Sequence, residues 1–180
     1  MKKFLIIFII IFICGILSAD ICLKQMQESD AFLGLDFYKQ YANSEFVFKN
    51  VFCNTLYERI KIYVLLILLC FTPIKEKIGG LLIIFFCFIW GFYLMSSIVA
   101  LGIAGVVVGL ASVLPHGIFY AGSLGALIAD KRDRIYYRRS QGVIRFLIYI
   151  ISLLLFLTAC VIESLIGTHF IPWIIRIALI

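Results

Sequence analysis

Apolar side chains run unbroken from Phe4 to Leu17, charge is absent from Ile78 to Ala129, and it is absent again from Phe146 to Ile162. A helix that crosses a bilayer needs roughly 17 to 25 apolar residues. The middle run holds 52 residues, enough for at least two passes, and Gly102 is its best internal break. The pattern predicts spans at about 4–19, 60–74, 81–100, 101–129 and 143–162. The chain then reads as all-α, a polytopic helical membrane protein of about five spans, with residues 1–180 forming a single multi-pass membrane domain. The fourth span is unusual: as one straight helix its 29 residues reach about 43 Å against a core of roughly 30 Å. Pro115 sits near its middle, followed by His116 and Gly117. Proline removes a helical hydrogen bond and glycine loosens the turn, so a kink or a pair of half-helices is expected there.

The polar positions fill the gaps between these spans. Residues 20–59 are the one sizeable polar stretch, with six acidic side chains against Lys24, Lys39, Lys49 and Arg59. Within it Phe48, Val51, Phe52 and Leu56 recur at helical spacing, and Ser44 is placed to cap that helix. The helix either lies on the membrane surface or simply extends the second span. Pro73 and Lys75-Glu76-Lys77 close the second span, and Gly79-Gly80 is expected to make a tight return. A basic loop at 130–142 carries Lys131, Arg132, Arg134, Arg138 and Arg139, and Arg145 follows it. The last piece, His169 to Ile180 with Pro172, Trp173 and Arg176, is too short to span and is expected at the interface. Lys2 and Lys3 ahead of the first run and Ser18-Ala19 behind it resemble a signal peptide. The residues at the −3 position of each candidate cleavage site, Leu17, Ile16 and Ile13, are all large, so an uncleaved first helix is expected.

Composition sharpens the same picture. Hydrophobic residues make up 64% and charged residues 14%, against about 25% charged in soluble domains. Lipid must therefore solvate much of the surface. The net charge of +6 sits in short loops beside apolar runs, which points to topology and headgroup contact rather than nucleic acid. With a cytoplasmic N-terminus and five spans, ten basic residues fall inside and six outside, and the C-terminus is extracytoplasmic. Of six cysteines, Cys22 and Cys53 share a compartment and are able to pair, and no CxxC spacing suggests a metal site.

Catalytic motifs such as HExxH, GxSxG, Walker A and GxGxxG are absent from the sequence, and no cofactor is implied. Two ionisable groups carry a functional reading because charge at membrane depth is costly. His116 lies beside the helix break, where its ring would satisfy freed carbonyls or serve a substrate. Glu163 closes the fifth span, either meeting water or pairing with a partner protein or a basic group in the last segment. Gly105 and Gly109 form one small-residue stripe, and Ala121, Gly125 and Ala129 another, suited to internal helix packing or to association with a further chain, a second copy included. Phe37, Tyr38, Tyr41, Phe48 and Phe52 are candidate docking aromatics, since aromatics dominate binding hot spots.

The run Val113-Leu114-Pro115-His116-Gly117 inside a long apolar segment, the polybasic Lys131 to Arg139, and a helix closing on Ile162-Glu163 with Pro172 nearby form a recognisable order. Phe48, Asn50, Phe52 and Asn54 before the second span add to it. This layout resembles the stage II sporulation protein M family of bacterial membrane proteins. The resemblance implies a non-enzymatic scaffold that recruits and anchors secreted peptidoglycan hydrolases, the stage II sporulation proteins D and P, at the septal membrane during engulfment. Tyr120 departs from the family, many of whose members carry a glutamate four residues after the histidine, and this speaks against a proton relay of that kind. The proline after the terminal glutamate also comes later than usual. A rival reading is a small transporter or permease component using the break at Pro115-His116. A third, an intramembrane enzyme, lacks a catalytic pair that the sequence names.

Overall fold

The computed structural model describes residues 2–26, 35–70, 75–129 and 140–179, and every regular element among them is helical. The order is α1 (Lys2–Met26), α2 (Leu35–Asn43), α3 (Phe48–Cys70), α4 (Lys75–Leu101), α5 (Ile103–Ala111), α6 (Leu114–Ala129), α7 (Ser140–Leu165), a π turn (Ile166–Phe170) and α8 (Ile171–Ala178). Four runs among the described residues are long and apolar enough to cross a membrane: Ile6–Leu23, Gly79–Leu101, Ile103–Ile128 and Phe146–Ala178. The fold is a polytopic helical one. The second expected span, 60–74, is not among the four. Its helix α3 carries Glu58, Arg59 and Lys61 in mid-course, and residues 71–74 lie outside the described residues. The basic loop Lys131, Arg132, Arg134, Arg138 and Arg139 lies outside them too.

The chain falls into two compact units. The first takes residues 1–47, 81–114 and 165–180, and the second takes 48–80 and 115–164. In the first unit α1 and α4 meet at glycines. A Cβ on Gly15 would strike the carbonyl of Phe88, and one on Gly91 would strike the carbonyl of Phe12. Two helices in lipid gain little from burying apolar area against each other, so close backbone approach through small residues is how they bind. Beside that crossing Trp90 sits edge-on to Phe12, with centroids 5.3 Å apart. Gly102 separates α4 from α5 with φ 60°, the left-handed region that glycine adopts freely. This lets α5 fold back on α4, where Gly105 rests on the carbonyl of Ser97 and Gly109 on Leu94. The Gly105–Gly109 stripe is therefore used inside the unit.

In the second unit α3, α6 and α7 pack around Tyr63, Leu127, Phe156 and Cys160, with Phe52, Leu56, Ile67, Tyr120 and Tyr149 against them. The inward residues recur at spacings of four and seven on these helices, the spacing of one helical face.

Several expectations change. Ser44 does not cap α3. It closes α2, its Oγ donating to the Gln40 carbonyl at 2.8 Å, and α3 starts at Phe48 and runs straight on, so the segment before the second span is an extension of that helix. Gly79 and Gly80 do not form a return, because α4 already begins at Lys75 and encloses them. The chain turns at Ser112–Val113, where Ser112 N–H and Oγ both donate to the Val108 carbonyl. Pro115 then falls in the first turn of α6, where a missing N–H costs nothing. The last segment does not stand apart from the fifth span: α7 continues through the π turn into α8, which buries Ile171, Pro172, Ile174 and Ile175. Cys22 and Cys53 are free thiols, both exposed.

Candidate functional site

In the second unit three helices meet at one carboxylate. Glu163, near the end of α7, accepts from Arg59 of α3 twice: Nε donates to Oε2 at 3.2 Å and Nη2 to Oε1 at 2.5 Å. Tyr120 of α6 donates its hydroxyl to the same Oε2 at 2.7 Å. One carboxylate thus ties three helices. Arg59 also lies over the Tyr120 ring, 5.8 Å from its centroid, a cation–π placement that adds to the ion pair. The Glu163 side chain is 20% exposed and that of Arg59 39%, so the pair is partly desolvated and its Coulomb attraction is stronger than at an open surface.

His116, one turn ahead of Tyr120, meets that ring edge-on at 5.8 Å. It is 9% exposed, and its Nδ1 is buried without a hydrogen-bond partner. Such a group costs free energy unless something occupies it. The Tyr120 hydroxyl also lies 3.3 Å from Cys160 Sγ.

Further along the unit a second polar set follows. The Ser123 hydroxyl donates to the Ser152 carbonyl at 2.9 Å, and the Ser152 hydroxyl to the Ser123 carbonyl at 3.1 Å. This reciprocal clamp joins α6 to α7. Tyr63 of α3 lies 3.0 Å from Ser152 Oγ. With the serine proton engaged, the tyrosine is the donor. Between the two sets Phe156 stacks on Tyr63 at 4.3 Å and lies 5.9 Å from the Tyr120 ring. Interhelical hydrogen bonds of this kind hold membrane bundles together.

In the first unit α2 is pinned from three sides. The Tyr38 hydroxyl lies 3.0 Å from Ser97 Oγ of α4. Ser97 donates its own proton to the Tyr93 carbonyl at 2.9 Å, so Tyr38 gives the hydrogen. Tyr41 donates to the Gly167 carbonyl in the π turn at 2.7 Å. Arg176 Nε donates to the Ala42 carbonyl at 2.8 Å, filling an orphan acceptor at the helix C-terminus, where a cation is favoured. Burial and the nearby Tyr93 push the Tyr41 phenol up to about 12, and burial raises Tyr38 as well.

The sequence candidates thus separate. Tyr38 is fully buried and Tyr41 half-buried, both spent on holding α2, so neither is a docking anchor. Phe37 is exposed beside them, on the face that also carries Asp36, Lys39 and Gln40. Phe48 and Phe52 stack on each other at 5.9 Å, and Phe52 packs into the second unit. Glu163 pairs with Arg59 of α3 rather than with a basic group of the last segment. Gly117 is half-buried in the first turns of α6. Ala121 and Gly125 are exposed, with nothing within 4 Å of a Cβ on Gly125, and Ala129 ends α6. The residues sequence reasoning gave no site role are Arg59, Tyr63, Ser123 and Ser152, and Tyr120 entered it only as a departure from the resembled family. Their signal was periodicity among the polar side chains: 59 and 63, 116, 120 and 123, 152, 160 and 163 each fall on one helical face.

Helices of this length and a polar seam inside them define a multi-pass membrane protein. Comparison with family models, with curated proteins and with solved structures finds no match for this chain.

Proposed function

We propose that the chain is a membrane scaffold, non-enzymatic, that recruits and anchors peptidoglycan hydrolases at the septal membrane during engulfment. Its N-terminus is cytoplasmic and the 20–59 segment is extracytoplasmic, and the C-terminus is extracytoplasmic as well if α3 crosses as a fifth span. The reading rests on the stage II sporulation protein M-like layout. The observation that supports it best is the fixing of α2 by Tyr38, Tyr41 and Arg176. A polar helix held from three sides is a preorganised platform, and preorganisation lowers the entropy cost of binding. Phe37, with Asp36, Lys39 and Gln40 around it, is the exposed face of that platform. The partners are stage II sporulation proteins D and P.

The test is capture from sporulating cells with the full chain as bait. Recovery of the two hydrolases, lost on Phe37→Asp in a chain that still extracts as a monodisperse species, supports the reading. Recovery of neither hydrolase, where another septal complex survives the same extraction, refutes it.

A second reading, a small transporter or permease component, is favoured by one observation: the partnerless Nδ1 of buried His116 just past the break at Ser112–Val113. His116→Ala separates the two, since a scaffold keeps its partner whereas a transporter loses flux.

A further inference from the structure

We propose that the three-helix unit is a proton path gated by Phe156. The inference rests on the transport reading and narrows its cargo to the proton. Its materials are all in the seam. At one end stand Glu163, Tyr120 and His116, a carboxylate, a hydroxyl on it at 2.7 Å and an imidazole nitrogen with no partner. Further along, the Tyr63 hydroxyl lies 3.0 Å from that of Ser152, and the Ser152 hydroxyl lies 3.0 Å from that of Ser123. Tyr149, one turn on, packs against the same cluster. From Glu163 to Tyr149 the seam covers about 21 Å of helix, some two thirds of a bilayer core.

The two sets are interrupted where Phe156 lies, packed with Leu127 and Cys160. Phe156 is 3% exposed and lies against both tyrosine rings. An apolar constriction of this kind closes a pore by excluding water. When the ring swings aside, water joins the Tyr120 hydroxyl to that of Tyr63. Each hydroxyl, from Tyr120 through Tyr63 and Ser152 to Ser123, then passes on the proton it holds as it takes the next and turns back afterwards, with water at either end supplying and taking up the proton. The path ends chemically unchanged, with one proton moved and no oxidant, reductant or leaving group involved.

Tyr120 is central, although its identity in the sequence argued against a relay. The carboxylate on its hydroxyl comes from α7, as Glu163.

The experiment uses the purified full chain in phosphatidylcholine–phosphatidylglycerol vesicles with trapped pyranine, driven by a valinomycin–potassium potential. Wild type acidifies faster than protein-free vesicles, Phe156→Ala runs about tenfold faster than wild type because the constriction is gone, and adding Tyr63→Phe to that variant returns it to the protein-free rate. A Phe156→Ala rate no greater than wild type overturns the proposal, as does one that survives Tyr63→Phe. If Phe156→Ala does not insert, wild type against Tyr63→Phe decides, and equal rates overturn it. Osmotic swelling in small neutral solutes and salts, on the same vesicles, tells this failure from that of the parent reading. Solute passage without proton flux overturns the proton path and leaves transport standing, and the absence of both overturns both.

Discussion

Replacing Glu163 with alanine tests whether one carboxylate holds three helices. The variant removes three hydrogen bonds at once: two from Arg59 and one from Tyr120. Breaking a fully buried ion pair from one side costs about 3–5 kcal/mol, while an exposed pair is worth about 0–1 kcal/mol. This pair lies between those limits. The Glu163 side chain is 20% exposed, but that of Arg59 is 39% exposed and is able to turn toward water once its partner is gone. The Tyr120 hydroxyl has less freedom, and stranding a buried hydroxyl costs about 1–3 kcal/mol. The total for Glu163→Ala is about 3 kcal/mol. For a chain of this size that corresponds to a drop in melting temperature of about 6–12 °C. The assay is thermal unfolding in a mild detergent, followed by labelling of buried Cys87 and Cys160 in a background where the other cysteines are serine. Glu163→Gln keeps the shape and an acceptor for Tyr120 and falls by about half as much. A cycle with Arg59→Ala isolates the pair itself, with an expected coupling of about 1–2 kcal/mol. A drop below about 2 °C for Glu163→Ala, or a cycle with no coupling, refutes the arrangement.

Glycine replacements sort by what a Cβ would meet. Gly91→Ala drives a methyl into the Phe12 carbonyl and separates α1 from α4, at a cost of about 2–3 kcal/mol. Gly125→Ala meets nothing within 4 Å and leaves the melting temperature unchanged or slightly raised, through helix propensity. Gly102→Ala places a Cβ at φ 60°, ψ −132° and costs about 1–3 kcal/mol in the same melt. Tyr41 supplies a pH effect. Its folded value is raised to about 12 from 10.0 by burial and by Tyr93, so the folded state holds the phenolic proton more tightly. The stability this gives is complete below pH 10 and is lost as pH climbs toward 12. Absorbance at 295 nm, differenced against Tyr41→Phe, follows that ionisation, and a transition near pH 10 in the folded protein contradicts the burial.

The membrane class was legible because it depends on bulk quantities. Runs without charge, such as 78–129, are set by the thickness of the bilayer and survive any error in helix packing. Pro115 likewise announced a break in the apolar tract, since a proline ring cannot sit mid-helix without cost. The actual turn falls two residues earlier, at Ser112–Val113, because proline is well placed just inside a helix start and the preceding residues absorb the bend. Gly79-Gly80 misled for the opposite reason. Paired glycines mark turns in water, but in a membrane helix they also admit neighbours, and Gly79 meets the Ile128 side chain.

What the sequence concealed was which face of each helix turns inward. In a soluble bundle the apolar stripe marks that face. Here α6, α7 and the later half of α3 are apolar on nearly all sides, because lipid and protein interior are equally undemanding, so the hydrophobic pattern is flat and carries no direction. The direction lies in the exceptions. A carboxylate or a phenol facing lipid would be stranded and must turn toward another helix, whereas a serine or threonine is able to bond its own helix, as Ser18 and Thr158 do. Tyr63, Tyr120 and Glu163 satisfy that condition, and Ser123 and Ser152 bond across the same seam, which is why their three- and four-residue spacing reproduces it. The same rule explains why Arg59 was misplaced when counted only as an outer charge for topology. A cation in mid-helix, among Ile60, Ile62 and Val64, is better explained by an anion across the bundle than by the loop it follows. Glu163, 104 residues away, is that anion.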